Sequence, residues 1–557
     1  MNDDRLPRRR MLTTVGLVSA LAGCAGWTSP FGDESSEDNE PDVDSTDGSR
    51  TDDDSADDSR SDDDSTETRD SPEQPLRITD FSLDTTLAQQ TDIVTLSLAV
   101  ANDTEDTIEA NFVFSMGDTE IHSRSESIPS EDTIMVTTRR ELRRIGEHQF
   151  QATIAQDGEP VANAQTSVSV GQFPSSFVGV EGTDFTLDDG TFYVSGADAN
   201  SSYTVGVSHP HHDQLRPLMF DGLERIGATV YRLFVSTAPI ERGGPFPGED
   251  NEKFFRRFDM AITEAKRRNI RVSIPITSGT PHYDRHPVEN LENTVPGYVH
   301  RAETADEIND FYRNKECIDL YKQWVEELLT HENHLTGVEY RHDPTIMMWE
   351  LGNEVAWEEA WTRDSDSLRP WIEEVGPYVK QLAPDQLLTT GVHGWPDGRN
   401  DFLDDHRPDC IDICSMHYWV GPGHYDLPES EAEAVLDEKI KEAHETLEKP
   451  LWFSEYNWGH PDHPDSPGEL SDAFQEERNS KLRKWHNRLN EADVAGAAVH
   501  QVNPKEVVEE LIETTRGSTT IYPFEDTGTV EELRRYARIT REKSTSTAVP
   551  ELTDIEE

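Results

Sequence analysis

The sequence predicts an α/β protein: a (β/α)8 TIM barrel preceded by a small immunoglobulin-like β-sandwich and a disordered acidic linker. Three observations predict it. Over residues 177–543, eight short apolar runs alternate with stretches of helical periodicity, the pattern of parallel strands wrapped in helices. Residues 76–172 instead alternate apolar and polar side chains with a period of two between turn-forming clusters, as a sandwich does. Residues 25–75 are rich in Asp, Ser and Thr and nearly free of large apolar side chains, so they cannot bury a core.

In chain order, residues 1–24 come first and read as a targeting segment. Arg8-Arg9-Arg10-Met11-Leu12 sets twin arginines before an apolar run, Met11 to Gly23, that is too short to span a bilayer comfortably. Leu21-Ala22-Gly23-Cys24 resembles a lipoprotein box with Cys24 as the lipidated residue; a plain cleaved signal with an incidental Cys is the alternative. Export by the twin-arginine route is expected, with attachment through lipid to the outer face of the cell membrane. In the linker, Asp52–Asp54 and Asp62–Asp64 lack the spacing of a calcium loop, and like charges extend the tether. The sandwich segment contains no Trp or Tyr, so it is expected to be a spacer or interaction module and not a sugar platform.

The barrel strands are expected at 192–196, 229–235, 271–276, 345–351, 387–392, 411–417, 451–456 and 496–502. Helical periodicity lies between them at 254–268, 308–329, 368–382, 432–447 and 472–490. Residues 544–557 are expected to form a disordered tail. Three cysteines follow Cys24: Cys317 on a predicted helix, and Cys410 and Cys414 in one predicted strand. Four residues of strand span about 13 Å, beyond disulfide reach, so all three are read as small buried hydrophobes.

The formal net charge is −61, and Arg outnumbers Lys roughly three to one. Such a surface repels nucleic acid and anionic membranes. The acidic bias also pervades the predicted helices. That favours a surface kept hydrated in concentrated salt, where the Debye length is about 3 Å at 1 M, over one dedicated to cations or basic partners. With no clustered His/Cys ligand set and no Gly-rich phosphate loop, no metal or cofactor is expected. The protein is expected to be a monomer.

The chemistry sits at strand ends, where barrels of this kind carry it. The fourth strand runs into Asn353-Glu354 and the seventh into Ser454-Glu455. Two facing carboxylates, one protonated to assist a leaving group and one ionised to attack, are what cleavage of a glycosidic bond needs. The surrounding residues resemble glycoside hydrolase family 5, in its endo-β-1,4-mannanase branch. The carriers are Tyr321-Lys322, Thr336-Gly337-Val338-Glu339-Tyr340, Asp343-Pro344-Thr345-Ile346 and Trp349-Glu350-Leu351-Gly352-Asn353-Glu354. Matching stretches near Gly182–Leu187, Phe192–Ala197 and Ala265–Arg271 extend the resemblance over most of residues 177–543.

This resemblance implies roles. Glu354 would be the general acid/base and Glu455 the nucleophile. Asn353 would bind the sugar 2-hydroxyl, and Arg232 would hold the nucleophile ionised. His417 would pair with the acid/base or bind substrate, with Trp419 where the family has Tyr. Trp357, Trp361, Trp395 and Trp458 follow strand ends and would stack on sugar or cap the barrel core. Two positions depart from the family: His500 stands where a Trp floors the sugar site, and Thr277-Ser278-Gly279-Thr280-Pro281-His282 replaces an Asn-Asn-Trp-like ending. The expected activity is retaining cleavage of a β-linked polysaccharide, β-1,4-mannan first. The alternatives are another β-glycanase, an exo-glycosidase, a transglycosylase, or a catalytically silent carbohydrate-binding protein of the cell surface.

Overall fold

The computed structural model describes residues 75–552, apart from 90–91, 118, 145, 157, 172, 189, 199–211, 236–244, 280–292, 356–364, 395–400, 421–426, 459–470 and 506–519. Residues 1–24, where the targeting segment and Cys24 are expected, nearly all of residues 25–75, and Trp357, Trp361 and Trp395 lie outside the described residues.

Eight strands form the first unit: β1 (Leu76–Leu83), β2 (Leu87–Gln89), β3 (Ile93–Asn102), β4 (Ile108–Met116), β5 (Thr119–Ile128), β6 (Thr133–Glu141), β7 (Gly146–Gln156) and β8 (Glu159–Gly171). They make two sheets, β1-β3-β6 and β2-β8-β7-β4-β5. The period-two pattern decides which side chains face inward: Val94, Leu96, Leu98 and Val100 of β3 meet Phe112, Phe114, Phe150 and Ile154 in one apolar core.

The second unit is the barrel. Its strands are β12 (Val194–Asp198), β13 (Val230–Arg232), β14 (Arg271–Pro275), β15 (Ile346–Glu350), β16 (Leu387–Thr389), β17 (Cys414–Val420), β18 (Leu451–Trp458) and β19 (Gly496–His500). They pair in parallel in the order β16-β15-β14-β13-β12-β19-β18-β17. The seam between β16 and β17 is bridged differently. The Asp412 N–H donates to the Leu388 carbonyl (2.9 Å), and the Thr389 hydroxyl donates to the Ile413 carbonyl (3.0 Å) and lies 2.8 Å from the Ser415 hydroxyl.

All eight predicted runs overlap these strands. The first begins two residues later than expected, and its C-terminal end therefore carries Asp198. The sixth begins three residues later. Cys410 is thus in a turn and not in a strand beside Cys414, which corrects the expectation; Cys317, Cys410 and Cys414 are all free thiols.

Below the barrel, a small antiparallel sheet of β9 (Val178–Glu181), β10 (Asp184–Leu187) and β11 (Gly190–Thr191) presses Val178, Phe185 and Leu187 against Met348, Trp452 and Ala498. The expected disordered tail is, as far as Leu552, part of this plug. The Ser544 hydroxyl accepts from the Tyr193 N–H (2.9 Å), the Thr545 and Ser546 N–H groups donate to the Thr191 carbonyl, and Ala548 and Val549 pack on the same apolar layer.

Nine α-helices are described: α1 (His212–Ile226), α2 (Glu252–Arg267), α3 (Val295–Arg301), α4 (Lys315–Leu329), α5 (Ser365–Leu382), α6 (Phe402–His406), α7 (Glu429–Lys441), α8 (Asp472–Glu491) and α9 (Thr527–Lys543). The five predicted helices correspond to α2, α4, α5, α7 and α8. The run expected at 308–329 is interrupted, because the Asn314 side chain accepts from the Glu316 N–H (2.8 Å) and starts α4 afresh after a single 3-10 turn. The apolar period of α9 is hidden by charge on its inner face. Glu532 is buried there, accepting from Arg483 and Arg535 and lying 2.9 Å from His486 Nδ1.

One buried carboxylate anchors the approach to β15. Asp259 of α2 lies 3.0 Å from His331 Nε2 and 2.5 Å from His334 Nδ1. It also accepts from the Tyr340 hydroxyl and the His334 N–H. Burial opposes its charge, but the hydrogen bonds from His331, Tyr340 and His334 outweigh burial and hold its pKa below the usual range. Such a group stabilises the fold above its unfolded pKa of about 3.9, and the contribution is lost as pH falls through the lower folded value. Asp259→Asn is therefore expected to cost about 3 kcal/mol near neutral pH. In urea titrations, the gap from the unsubstituted protein should narrow below about pH 4.

Candidate active site

The C-terminal ends of four strands meet on one guanidinium. Arg232 closes β13 and is wholly buried. Its Nε and Nη2 donate to both oxygens of Glu350 at the end of β15 (2.9 and 2.7 Å). Nη1 donates to Asp198 of β12 (3.3 Å) and to Glu455 of β18 (2.6 Å), and Nη2 also reaches the Asn353 side-chain oxygen (2.9 Å). Burial opposes the charge of Arg232, but the carboxylates of Glu350, Glu455 and Asp198 overcome it and raise its pKa. The Ser273 hydroxyl completes the set by donating to Glu350 (2.8 Å).

Glu455 reaches this hub through a bulge. Strict alternation along β18 from Leu451 turns odd positions toward the helices and even ones inward. The pairing with β17 runs Phe453 to Met416 and then Glu455 to His417, which leaves Ser454 as an extra residue. Past that point Glu455 and Asn457 face the barrel axis. Tyr456 turns outward, its hydroxyl 2.7 Å from His486 Nε2 on α8.

Glu354 is held by backbone. It adopts φ of 51°, a left-handed conformation that a non-glycine residue keeps only when its surroundings enforce it. The Glu354 N–H donates to the Gly391 carbonyl, the Asn353 N–H to Thr277, and the Gly279 N–H to Asn353, each at 2.7 Å. Gly391 is required there: a Cβ would lie 1.7 Å from the Gly352 carbonyl oxygen.

His417 links the two acids. Its Nδ1 lies 2.8 Å from Glu354 Oε1 and 3.4 Å from Glu455 Oε2. Because these distances share one nitrogen, the two oxygens are at most about 6.2 Å apart. His393 Nε2 is 3.6 Å from the same Glu354 oxygen.

Burial, then the Glu455 charge, pushes the Glu354 pKa well above the carboxylate range, with Arg232 opposing. Burial also raises Glu455, to about 7, with His500 and Arg232 pulling it down and Asp198 pushing it up. Burial, then the Arg232, His393 and His500 charges, holds His417 well below the usual histidine value, so its ring is neutral.

Several expected residues therefore converge: Glu354, Glu455, Asn353, His417 and His500, with Trp419 edge-on to the His500 ring at 4.8 Å. Arg232 lies against Glu455 as expected, whereas the expected substrate contact of Trp458 is corrected. Arg232 is sealed from solvent, bonded to the carboxylates and Asn353 around it and 4.6 Å from the centroid of the Phe234 ring, so it has no open face for a sugar. Trp458 follows the outward phase set by the bulge: its ring lies 6.4 Å from Trp485 and under the Lys481 ammonium (4.9 Å) on α8. The sequence reading missed Asp198, Glu350, Ser273 and His393. A charged residue inside an apolar barrel strand, as in Trp349-Glu350, was the available signal for a buried ion pair.

Residues 175–457 match the model of the family described as "GH family 5 beta-mannosidase-like". The chain is 29% identical over 322 residues to putative mannan endo-1,4-beta-mannosidase 4 of Arabidopsis thaliana, covering 53% of this chain and 76% of that one. It is 27% identical over 319 residues to mannan endo-1,4-beta-mannosidase 2 of Oryza sativa subsp. japonica, covering 51% and 68%. The crystal structure of the endo-1,4-beta-mannanase from Rhizomucor miehei superimposes with a TM-score of 0.52 at 20% identity, covering 66% of this chain and 100% of that one, which speaks for the fold alone. With a family model covering half of the chain and a barrel that gathers paired acids at its strand ends, the protein belongs to the β-mannosidase-like group of glycoside hydrolase family 5 and is a glycoside hydrolase.

Proposed function

We propose that the protein cleaves β-1,4-mannan internally with retention of configuration, using Glu354 as acid/base and Glu455 as nucleophile. The observation that carries this reading is the approach of the two acids through His417. One oxygen from each acid lies within 3.4 Å of the same nitrogen, a closeness that favours the carboxyl spacing of about 5–5.5 Å typical of retaining enzymes over the 6.5–9.5 Å that leaves room for an attacking water. The relatives named as mannan endo-1,4-beta-mannosidases support the substrate. The twin arginines and Cys24 support export and lipid attachment at the outer face of the cell membrane, in contact with the polysaccharide.

In the first step, the Glu455 carboxylate attacks the anomeric carbon. The bond to the leaving oxygen breaks, and that oxygen takes the Glu354 proton. Esterified Glu455 carries no charge, so the largest electrostatic influence that raises the Glu354 pKa disappears. Glu354, now ionised, can take a proton from water as that water attacks the anomeric carbon and frees Glu455. Neutral His417 orients Glu354 without supplying a charge that would hold it ionised.

Incubation with mannan, glucomannan, cellulose and xylan in high salt is expected to release reducing sugar chiefly from the mannans, as internal fragments. Release from xylan or cellulose alone would reassign the substrate, and binding without hydrolysis would indicate a silent carbohydrate-binding protein. Glu455→Ala is expected to lower kcat by at least about 10⁴-fold while leaving thermal unfolding cooperative. Glu354→Gln should cost about 10²–10⁴-fold on mannan and far less on an aryl mannoside with a good leaving group. The kcat/KM profile should be bell-shaped. Its acid limb should lie near pH 7, where Glu455 loses its proton, and its alkaline limb should appear where Glu354 loses its own.

A further inference from the structure

Arg232 and His417 account for the support of the two acids, but not for His500. It ends β19 with its Nδ1 2.8 Å from Asp198 Oδ1 and 3.7 Å from Glu455 Oε2. Its ring stands on Trp419 at 71°, and its carbonyl accepts from the Asn457 side chain. The other oxygen of Asp198 accepts from the same Arg232 nitrogen that binds Glu455 Oε1. Asp198 thus connects two basic groups that address different oxygens of Glu455. Arg232 is sealed and clamped by Glu350, so its charge is fixed. His500 is 17% exposed and can exchange protons with solvent at the mouth.

We propose that His500, held by Asp198, is a second and titratable counter-ion of Glu455, and that its proton sets how far toward acid pH the nucleophile stays ionised. The proposal rests on Glu455 being the nucleophile, and it makes His500 a positioning residue that acts through Glu455.

The charges around the pair support it. Asp198, Glu350 and Glu455 converge on one guanidinium, so a second cation brings the cluster closer to balance. Burial opposes protonation of His500, while Asp198 and Glu455 favour it more strongly and Arg232 opposes it; the net effect raises its pKa. From the facing strands come Glu354, protonated, and the neutral His417, with His393 behind Glu354. Neither Glu354 nor His417 supplies a compensating charge to Glu455. A cation beside a carboxylate favours the ionised form, so removing His500 must raise the pH at which Glu455 loses its proton.

The test is the pH profile of kcat/KM on a soluble manno-oligosaccharide for His500→Gln and His500→Trp. Both are expected to move the acid limb upward by about 1–3 pH units, with a deficit that shrinks as pH rises. Trp restores an aromatic surface but no charge, so an altered KM with an unmoved limb in both variants would overturn the proposal and leave His500 as a wall of the sugar site.

A second measurement needs no substitution in the protein under study. Histidine-labelled enzyme is titrated by NMR before and after trapping with a 2-deoxy-2-fluoromannosyl fluoride, with the His500 signal assigned by its absence in His500→Gln. Esterification removes the Glu455 charge, so the His500 pKa should fall; an unchanged value would also overturn the proposal. Peptide mapping of the trapped enzyme separates the two ideas. An ester on a residue other than Glu455 refutes the nucleophile assignment, whereas an ester on Glu455 with an unmoved limb refutes the role of His500 alone.

Discussion

One buried guanidinium organises the mouth of this barrel. Burying an isolated charge costs several kcal/mol, and only close partners offset that cost. Arg232 finds them on three other strands: Asp198 on β12, Glu350 on β15 and Glu455 on β18. The fork of Arg232 engages Glu350 through two nitrogens, a planar pairing that fixes direction as well as distance. The third nitrogen is then constrained to the gap between Asp198 and Glu455. The strand ends cannot spread without stranding a charge, so the network that pairs the cation also sets the position of Glu455.

The same burial acts differently on the two acids because their neighbours differ. Both are nearly inaccessible to solvent, and desolvation raises both. Glu455 has Arg232 against one oxygen and His500 near the other, so its pKa rises only to about 7. Glu354 has a neutral histidine at 2.8 Å and feels the negative charge of Glu455, so it keeps its proton to higher pH. Two carboxyls in one pocket are thereby given different protonation tendencies by placement alone.

The two ends of the barrel are built from opposite materials. At the base, the β9–β11 sheet and residues 544–552 seal the interior with apolar side chains such as Phe185, Leu187 and Val549. At the mouth, the interior is ionic. The sandwich touches the barrel through polar contacts, including Arg267 with Ser169 (2.6 Å) and the Thr86 hydroxyl with the Leu335 carbonyl (3.3 Å). Placing the charges at one end leaves the hydrophobic layer to stabilise the fold while the mouth tunes protonation.

The alternation of apolar runs and helical periods was enough to specify the barrel, and period-two runs the sandwich, because both patterns record which faces meet a core. Strand ends were less legible: a shift of two residues hides Asp198, since nothing local marks where β12 stops. Helices whose inner faces carry charge, such as α9 with Glu532, escaped for the same reason that makes them stable, namely that partners from elsewhere in the chain neutralise them. Glu354 and Glu455 could be picked out as candidates from their positions after apolar strands. Their mutual distance, their separated pKa values and the inward turn of Glu455 were decided by tertiary structure. The Ser454 bulge reverses the phase of β18, and the partners at Arg232, His417 and His500 lie up to 223 positions away in the chain. Sequence periodicity reports what a residue does to its neighbours along the chain; a protonation state depends on charges that only folding brings near.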